Sequence, residues 1–566
     1  MLSHFSFSQN IAINSTGAAA TASAGLDIAF SNRGLLIPRV SLSSTSDLTT
    51  ITSPATGLMV YNTNAAMTNG SVGMFFWNGL QWFRFYTYTG TSWLLAGNTL
   101  TGTLPASPTE FIGTLNDADL IIKTSGNESN RITSGGALFA SGDLTNGVTP
   151  TSGAGTRMMW IPAKGAFRAG KVAGTQWNNT LVGTYSFAGG LDNIVEGTSS
   201  SAAFGNSNNI QGGSYNFLQG FNNLTGTGTT AGFAVGNGNS VYNTYNNIMG
   251  YSNSCGTGAI ASFTAGYSNS VFNNYNVVFG NNSSCGTGST GSFTSGYSNV
   301  VNNDYSTVLG YNNSNGSGAS GAFVAGYSNV ANMNYSSTLG YNNSNGSASL
   351  TAFTTGYSNV ANGDYAVAFG YNNSTSSVGS VTCPFTSGYA NNGAKDYGIT
   401  LGGYNNNNTG VSSIVMGRDM TVSGDYSCGI SLDLVVSTLS QANSMAIMQG
   451  KLGISTVAPL STLHVNGSMT IKRTSTAANY TITTDDIYVG VSSTAAARTI
   501  TLPSAATVAA GKLYIIKDES GGAATNNITI ARAGTDLIEG AVAYTINTNY
   551  GFVRLMSIGG TSWVIW

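Results

Sequence analysis

At 566 residues the chain is too long for one ordinary core, so several modules strung along an axis are expected. Asp, Glu, Lys and Arg make up only 7% of it while Gly supplies 75 residues, which excludes charged amphipathic helices and favours short strands joined by Gly/Asn turns. The net charge of −2, with Lys395 the one basic residue between Lys171 and Arg418, excludes the basic footprint of a nucleic-acid binder.

Residues 1–97 are expected to form an N-terminal β-rich module. Its runs Gly34–Val40 (GLLIPRV) and Gly57–Asn62 (GLMVYN) read as strands, and Met74–Phe83 (MFFWNGLQWF) reads as a hairpin with a two-residue turn at Asn78–Gly79. Trp77 and Trp82 fit core or chain-to-chain contacts better than an exposed sugar platform. The chain opens without a basic stretch followed by an apolar one, and no run of 18 apolar residues occurs. Neither an evident secretion substrate nor membrane insertion is therefore expected.

Residues 98–184 read as a connecting β-region containing Ala118–Lys123 and Gly155–Pro162. Arg157, Lys164, Arg168 and Lys171 cluster there, and read as a solvated or interface-locking surface rather than a ligand site.

Residues 185–422 carry two interleaved combs. Gly250, Gly280, Gly310, Gly340 and Gly370 fall 30 residues apart, each five after a tyrosine (Tyr245, Tyr275, Tyr305, Tyr335, Tyr365). Gly236, Gly266, Gly296, Gly326 and Gly356 each follow a phenylalanine by three residues, and the last four open an identical GYSN. Traced from Gly189 to Gly417, successive markers are 14 to 16 residues apart except for one gap of 18, so each 30-residue unit is two coils of a solenoid.

Within a coil, the aliphatic or aromatic residue just before each glycine is expected to point inward. The glycine permits a crowded or left-handed backbone, and Asn269, Asn299, Asn329 and Asn359 are placed to hydrogen-bond up and down the stack. At ~4.8 Å per coil the sixteen markers predict a rod of roughly 70 to 80 Å. So narrow and uncharged a coil is expected to associate laterally with copies of itself. Cys255 and Cys285 recur two coils apart, about 9 to 10 Å and beyond disulfide reach, and all four cysteines (with Cys383 and Cys428) read as free thiols.

Residues 423–466 read as an exit or linker region. Residues 467–566, with alternating runs such as Tyr480–Thr483, Arg498–Pro503, Lys512–Lys517 and Asn527–Ile530 and an apolar end at Trp563–Trp566, read as a β-sandwich-like domain.

Catalytic chemistry finds little support. Asp304 and Asp364 lie 60 residues apart, about four coils or ~19 Å, whereas glycosidase carboxylates need about 5 to 9.5 Å. With Asp192, Glu196 and Asp396 they read as corner residues capping turns. His4 and His464 lie in different terminal regions, so neither a zinc site nor a nucleophile triad assembles. Asp485–Asp486 reads as flanking a turn rather than binding a cation. No enzyme activity, metal or cofactor is expected.

The coils, written as apolar pair, Gly and polar corner, resemble the head repeats of trimeric autotransporter adhesins of the YadA type over residues 185–422, although Phe-x-x-Gly-Tyr-Ser-Asn stands where those adhesins favour small aliphatics. Gly34–Val40, Pro54–Thr63 (PATGLMVYNT) and Phe76–Gly79 together resemble a module of modular fibre proteins of Bacteroidota and their phages. Gly155–Trp160, continuing through Ala166–Gly170 to Ser186–Gly190, is similar to the segment leading into β-roll repeats in those proteins. Pro459–Gly467 resembles their exit motif. Thr499–Pro503, Ile516–Asp518 and Trp563 are similar to C-terminal domains of phage fibres.

These resemblances imply an all-β, elongated homotrimeric fibre with a parallel β-roll or solenoid shaft and terminal β-domains. They imply a structural fibre on the head or tail of a virion, assembled in the host cytoplasm. Its N-terminal region would meet other virion proteins, and a host-surface glycan or protein would be its target. A bacterial trimeric surface adhesin and a polysaccharide-degrading tailspike are the alternatives. No segment resembles a self-cleaving chaperone or a membrane-anchor barrel.

Overall fold

The protein is described from a computed structural model covering residues 10–85, 112–114, 116–143, 145, 147–196, 200–346, 350–375 and 382–566. Its regular secondary structure is almost wholly strand, 45% of residues against 2% in helix. The chain divides into two units, Met1–Phe139 and Ala140–Trp566. The module boundary expected at 97–98 lies outside the described residues.

In the first unit, Ile11–Asn14 pairs in parallel with Leu26–Ala29. A four-stranded sheet follows from Arg39–Val40, Met59–Asn62, Gly73–Trp77 and Trp82–Arg84. Period-2 alternation sends Val60, Phe75, Trp77 and Trp82 into a small core with Leu42. The turn is longer than the two residues expected. Trp77 pairs with Trp82, leaving four residues in the loop, because Asn78 Oδ1 accepts the N–H groups of Leu80 (2.9 Å) and Gln81 (2.7 Å) and closes an Asx turn. Both tryptophans are buried edge to face at 5.3 Å, and the Trp82 indole donates to the Asp47 carbonyl.

In the second unit, Gly155–Ile161 pairs antiparallel with Ala166–Val172. From Ala166–Val172 to Met445–Met448, strand then follows strand in parallel to complete one 20-stranded sheet. Each coil turns a corner into a short second strand such as Ser270–Val271. These form a 12-stranded sheet and a 4-stranded sheet, joined through single bridges at Ser374. The stack thus runs past both expected limits, 185 and 422. Its first strand carries a marker at Gly170, in register with Gly190, which takes the marker seat opposite Gly205 in place of the Gly189 expected from the spacing, and a late strand carries Ser431 in register with Gly417. The glycine comb is an incomplete guide to where pairing stops.

The direction of the side chains also corrects the expectation. The buried residue lies two positions before each marker (Thr264, Val278, Val308, Val324), while the residue just before it (Phe279, Leu309) faces outward. The bond that a Cβ would take on the glycine points into the stack, and alternation puts the residue two before on that side. At Gly236, Gly250, Gly266, Gly280, Gly296, Gly310, Gly326, Gly340, Gly356 and Gly370, φ runs from 109° to 128°. At each, a Cβ would collide with the carbonyl oxygen of the marker glycine one coil on. Glycine is required twice over, by backbone and by space.

That carbonyl is part of a ladder. Asn269 Nδ2 donates to Asn253 Oδ1 (3.0 Å) in the coil before and to the Gly280 carbonyl (2.7 Å) in the coil after. The same rung recurs at Asn329 and Asn359. Asn299, whose neighbour in the coil before is Ser283, keeps the donation to the next marker carbonyl at Gly310 (2.8 Å). Cys255 and Cys285 are buried free thiols separated by the Ser270–Val271 strand.

The last hundred residues form two sheets across one core. Arg473–Thr476, Tyr488–Val491 and Leu513–Asp518 stack in parallel in one sheet, with Tyr480–Thr481, Arg498–Thr501 and Ile528–Ala531 doing the same in the other. The chain alternates between them and then closes with antiparallel strands at Ala543–Ile546, Phe552–Ser557 and Ser562–Ile565. Ile500, Tyr514, Ile530, Leu555 and Trp563 fill the interior.

Candidate functional site

Each carboxylate of the repeat region that could have been catalytic serves the backbone or stands apart. Asp304, Asp364 and Asp396 accept the N–H groups of Thr290 (2.6 Å), Leu350 (2.8 Å) and Thr382 (2.8 Å), one coil earlier. Asn274 and Asn334 occupy the same seat in other coils. Asp192 accepts the N–H of Ala173, and Glu196 is exposed. Asp425, which the sequence reading passed over, caps Val411 in the same way, and Asp419 accepts the Asn405 amide. Within one chain none of these carboxylates is paired for acid–base work.

Elsewhere the picture is similar. Asp486 is buried and accepts from the hydroxyls of Thr474, Tyr480 and Thr483 and the N–H of Thr483, while Asp485 faces solvent. Burial pushes the Asp486 carboxyl up, but these hydrogen bonds together outweigh it and hold it down to about 2. His464 accepts the Leu460 N–H, and His4 lies outside the described residues. Among the described residues no three His, Cys, Asp or Glu side chains are grouped to hold a metal, and no helix is long and apolar enough to cross a membrane.

The basic cluster is only partly a surface. Arg168 is fully buried, donating to the carbonyls of Phe167, Ser186 and Val195 and the Ser186 hydroxyl, and burial lowers its pKa to about 10. Lys164 donates to the carbonyls of Asn179 and Val182. Arg157 lies over the Trp177 ring. Arg168 is a second donor to the Ser186 and Val195 carbonyls, which also accept the Phe167 and Gly183 N–H groups, so the cluster reinforces backbone contacts at the start of the stack. Lys171 remains exposed.

What the solenoid does present is aromatic. On the outer face of the long sheet, large and small residues alternate between the first and third strand positions. Phe263 stands with Ala265, then Val277 with Phe279, then Phe293 with Ser295, then Thr307 with Leu309. Rings meet diagonally from coil to coil, as in Phe263–Phe279 at 5.4 Å and Phe279–Phe293 at 5.9 Å. Beside them runs a ladder that the sequence reading did not single out. Tyr297, Tyr311, Tyr327, Tyr341, Tyr357, Tyr371, Tyr389 and Tyr404 stack with centroids 4.7 to 5.1 Å apart. Arg418 caps its last ring by a cation–π contact at 4.9 Å. Its signal was the tyrosine of the repeated GYSN, since a residue held at one position of every coil must lie on itself at the coil rise.

The comb tyrosines have another place. Tyr245, Tyr275, Tyr305, Tyr335 and Tyr365 take left-handed φ values of 55° to 60° at an exposed corner, a seat held by Ala231, Ala261, Gly291, Gly321 and Thr351 in the alternate coils. The rings of Tyr305 and Tyr335 lie against Gly291 and Gly321 of the coil before. One large corner residue per two coils covers one small one, which is a physical reason for the 30-residue period.

At the other end of this unit, an open apolar pocket of about 620 Å³ is lined by Met469, Ile471, Lys512, Ile515, Arg554 and Trp566. The Arg554 guanidinium lies over both Phe552 and Trp566.

Fold and surface together define a structural repeat protein, a parallel β-solenoid with an aromatic outer face. Residues 12–103 match a family model described as a phage tail like trimerisation region. No curated protein matches the chain. The match supports a protein of the phage-fibre type and a homotrimeric state, and it suggests a component of the virion.

Proposed function

We propose that the chain is a non-catalytic structural fibre of a phage virion, built as a homotrimer like the modular fibres of Bacteroidota phages. The N-terminal region attaches it to other virion proteins. The β-solenoid serves as the shaft, in the manner of the YadA-type heads it resembles. The C-terminal β-domain, with Arg554 and Trp566 at its apolar pocket, meets a glycan or protein on the host surface.

The observation that carries this reading is the pairing, in one chain, of a matched phage trimerisation region with a 20-stranded solenoid sheet. A solenoid extends by adding coils that each touch only their neighbours, which produces length and stiffness rather than a pocket. The carboxylates engaged in capping corners accord with a shaft that does no chemistry.

Antibody raised against the purified protein and imaged on intact particles tests the assignment. Labelled projections from the head or tail are expected, and blocked adsorption would tie them to host contact. Label confined to bacterial cells in the absence of phage would favour a surface adhesin. Release of oligosaccharides from host capsule or lipopolysaccharide by the purified protein would make it a depolymerase.

A further inference from the structure

The outer face of the long sheet is unusual for a surface bathed in water. Phe279, Phe293, Phe323, Phe353 and Phe369 are each 36% to 41% exposed. Among the described residues, no charged side chain occupies the first or third position of any strand of the long sheet from Phe187–Leu191 to Met445–Met448. The turn beyond the second strand, at Gly286–Ser289 or Gly316–Ala319, is made of Gly, Ser, Thr and Ala instead. Apolar surface continued coil after coil along one side of a repeat is the mark of an interaction site.

We propose that copies of this chain pack on one another through this face, coil level against coil level, and that the two-coil alternation of large and small residues is the interlock that sets their axial register. The proposal rests on the homotrimeric reading above and adds where the copies touch.

Three observations select a second copy as the occupant. A partner covering every coil must repeat with the same rise, and a copy of this chain does so by construction. The matched trimerisation region at residues 12–103 belongs to the same chain and would bring the copies together at one end. The alternation also leaves a recess beside each ridge: Ala325 stands beside Phe323 and Ser337 beside Leu339. Copies in register bring like layers together, whereas a slip by one coil sets first-position ridges against third-position ridges and loses the fit.

Cross-linking of the full chain tests this. In a Cys383→Ser, Cys428→Ser background, where Cys255 and Cys285 stay buried, a single cysteine is introduced either on the face (Phe323→Cys) or on the exposed turn beyond the second strand (Ser317→Cys). A short bismaleimide is expected to link chains through position 323 and not through 317. Both substitutions fall on positions exposed in the single chain, and unchanged far-ultraviolet circular dichroism establishes that each variant is folded. Linking at 317 alone, equal linking at both, or no linking at 323 in protein whose mass is three times that of one chain would overturn the proposed face while leaving the trimer standing. A mass near 58.0 kDa for the unmodified protein would instead overturn the trimer, and the face with it.

Discussion

Asn269 and Asn253 face each other across one coil step, the amide of the first donating to the side-chain oxygen of the second at 3.0 Å, both buried. Asn269 also reaches the Gly280 carbonyl at 2.7 Å and the Ala265 carbonyl at 3.2 Å. One side chain therefore ties three successive coils, and its own oxygen receives the Ser283 N–H at 2.9 Å.

Removing a rung leaves buried groups without partners, which costs about 1 to 3 kcal/mol each. Asn329→Ala is expected to lower the melting temperature of the full-length protein and to raise hydrogen exchange at the flanking coils. Asn329→Ser should cost less, because Ser283 already occupies a rung, accepting the Asn299 N–H with its hydroxyl. Equal losses for the two variants would show that the side-chain ladder contributes little beyond packing.

Gly310 is the sharper test of the stack. Its φ of 109° and the Gly326 carbonyl both oppose a Cβ, so Gly310→Ala combines a backbone strain of order 1 to 3 kcal/mol with a steric clash. Limited proteolysis should find new cleavage in the adjacent coils. Ser317→Ala, at an exposed turn position, should leave the digest unchanged.

Tyr341 stacks on Tyr327 at 4.8 Å and on Tyr357 at 4.7 Å. Aromatic pairs contribute roughly 0.5 to 1.5 kcal/mol beyond area burial, so Tyr341→Ala should lower the melting temperature while Tyr341→Phe should not. Near-ultraviolet circular dichroism should lose tyrosine coupling in the alanine variant. A spectrum indifferent to the loss would argue against a stacked ladder.

The C-terminal domain should respond to acid through Asp486. Its carboxyl is held down to about 2 when folded against a reference of 3.8, so the folded state favours the ionised form. The stability this confers is present above the reference value and fades as pH falls from there through about 2. Unfolding followed between pH 5 and 2 should show Asp486→Asn to be less stable at the upper end and to converge on the parent protein at the lower. A constant gap across that range would remove Asp486 as the cause.

Thiol reactivity reports on the shaft. Burial pushes the Cys255 thiol up to about 11 and the Cys285 thiol up to about 12, while Cys383 is exposed. Since the thiolate is the reactive species, iodoacetamide at pH 8 should modify Cys383 in the folded protein and reach Cys255 and Cys285 only after denaturation. Peptide mapping before and after unfolding distinguishes these outcomes.

The coil, the two-coil period and the all-β fold were legible along the chain. A repeat whose units touch only their neighbours writes each contact at a fixed sequence spacing, so Asn253 and Asn269, or Gly266 and Gly280, announce their pairing by recurrence alone. The want of charge on the outer strands belonged to the same record, since it is a matter of composition.

Which side of each strand faces inward was settled by the tertiary structure. A one-residue shift reverses every side chain in a strand, and only the next coil's carbonyl, crowding the place of a glycine Cβ, decides that Val278 is core and Phe279 surface. The same holds for single, unrepeated contacts. Arg168 closes the end of the stack by reaching Ser186 and Val195, and Asp486 gathers Thr474 and Tyr480. Such pairings have no recurrence to mark them, and the folded chain alone brings them together.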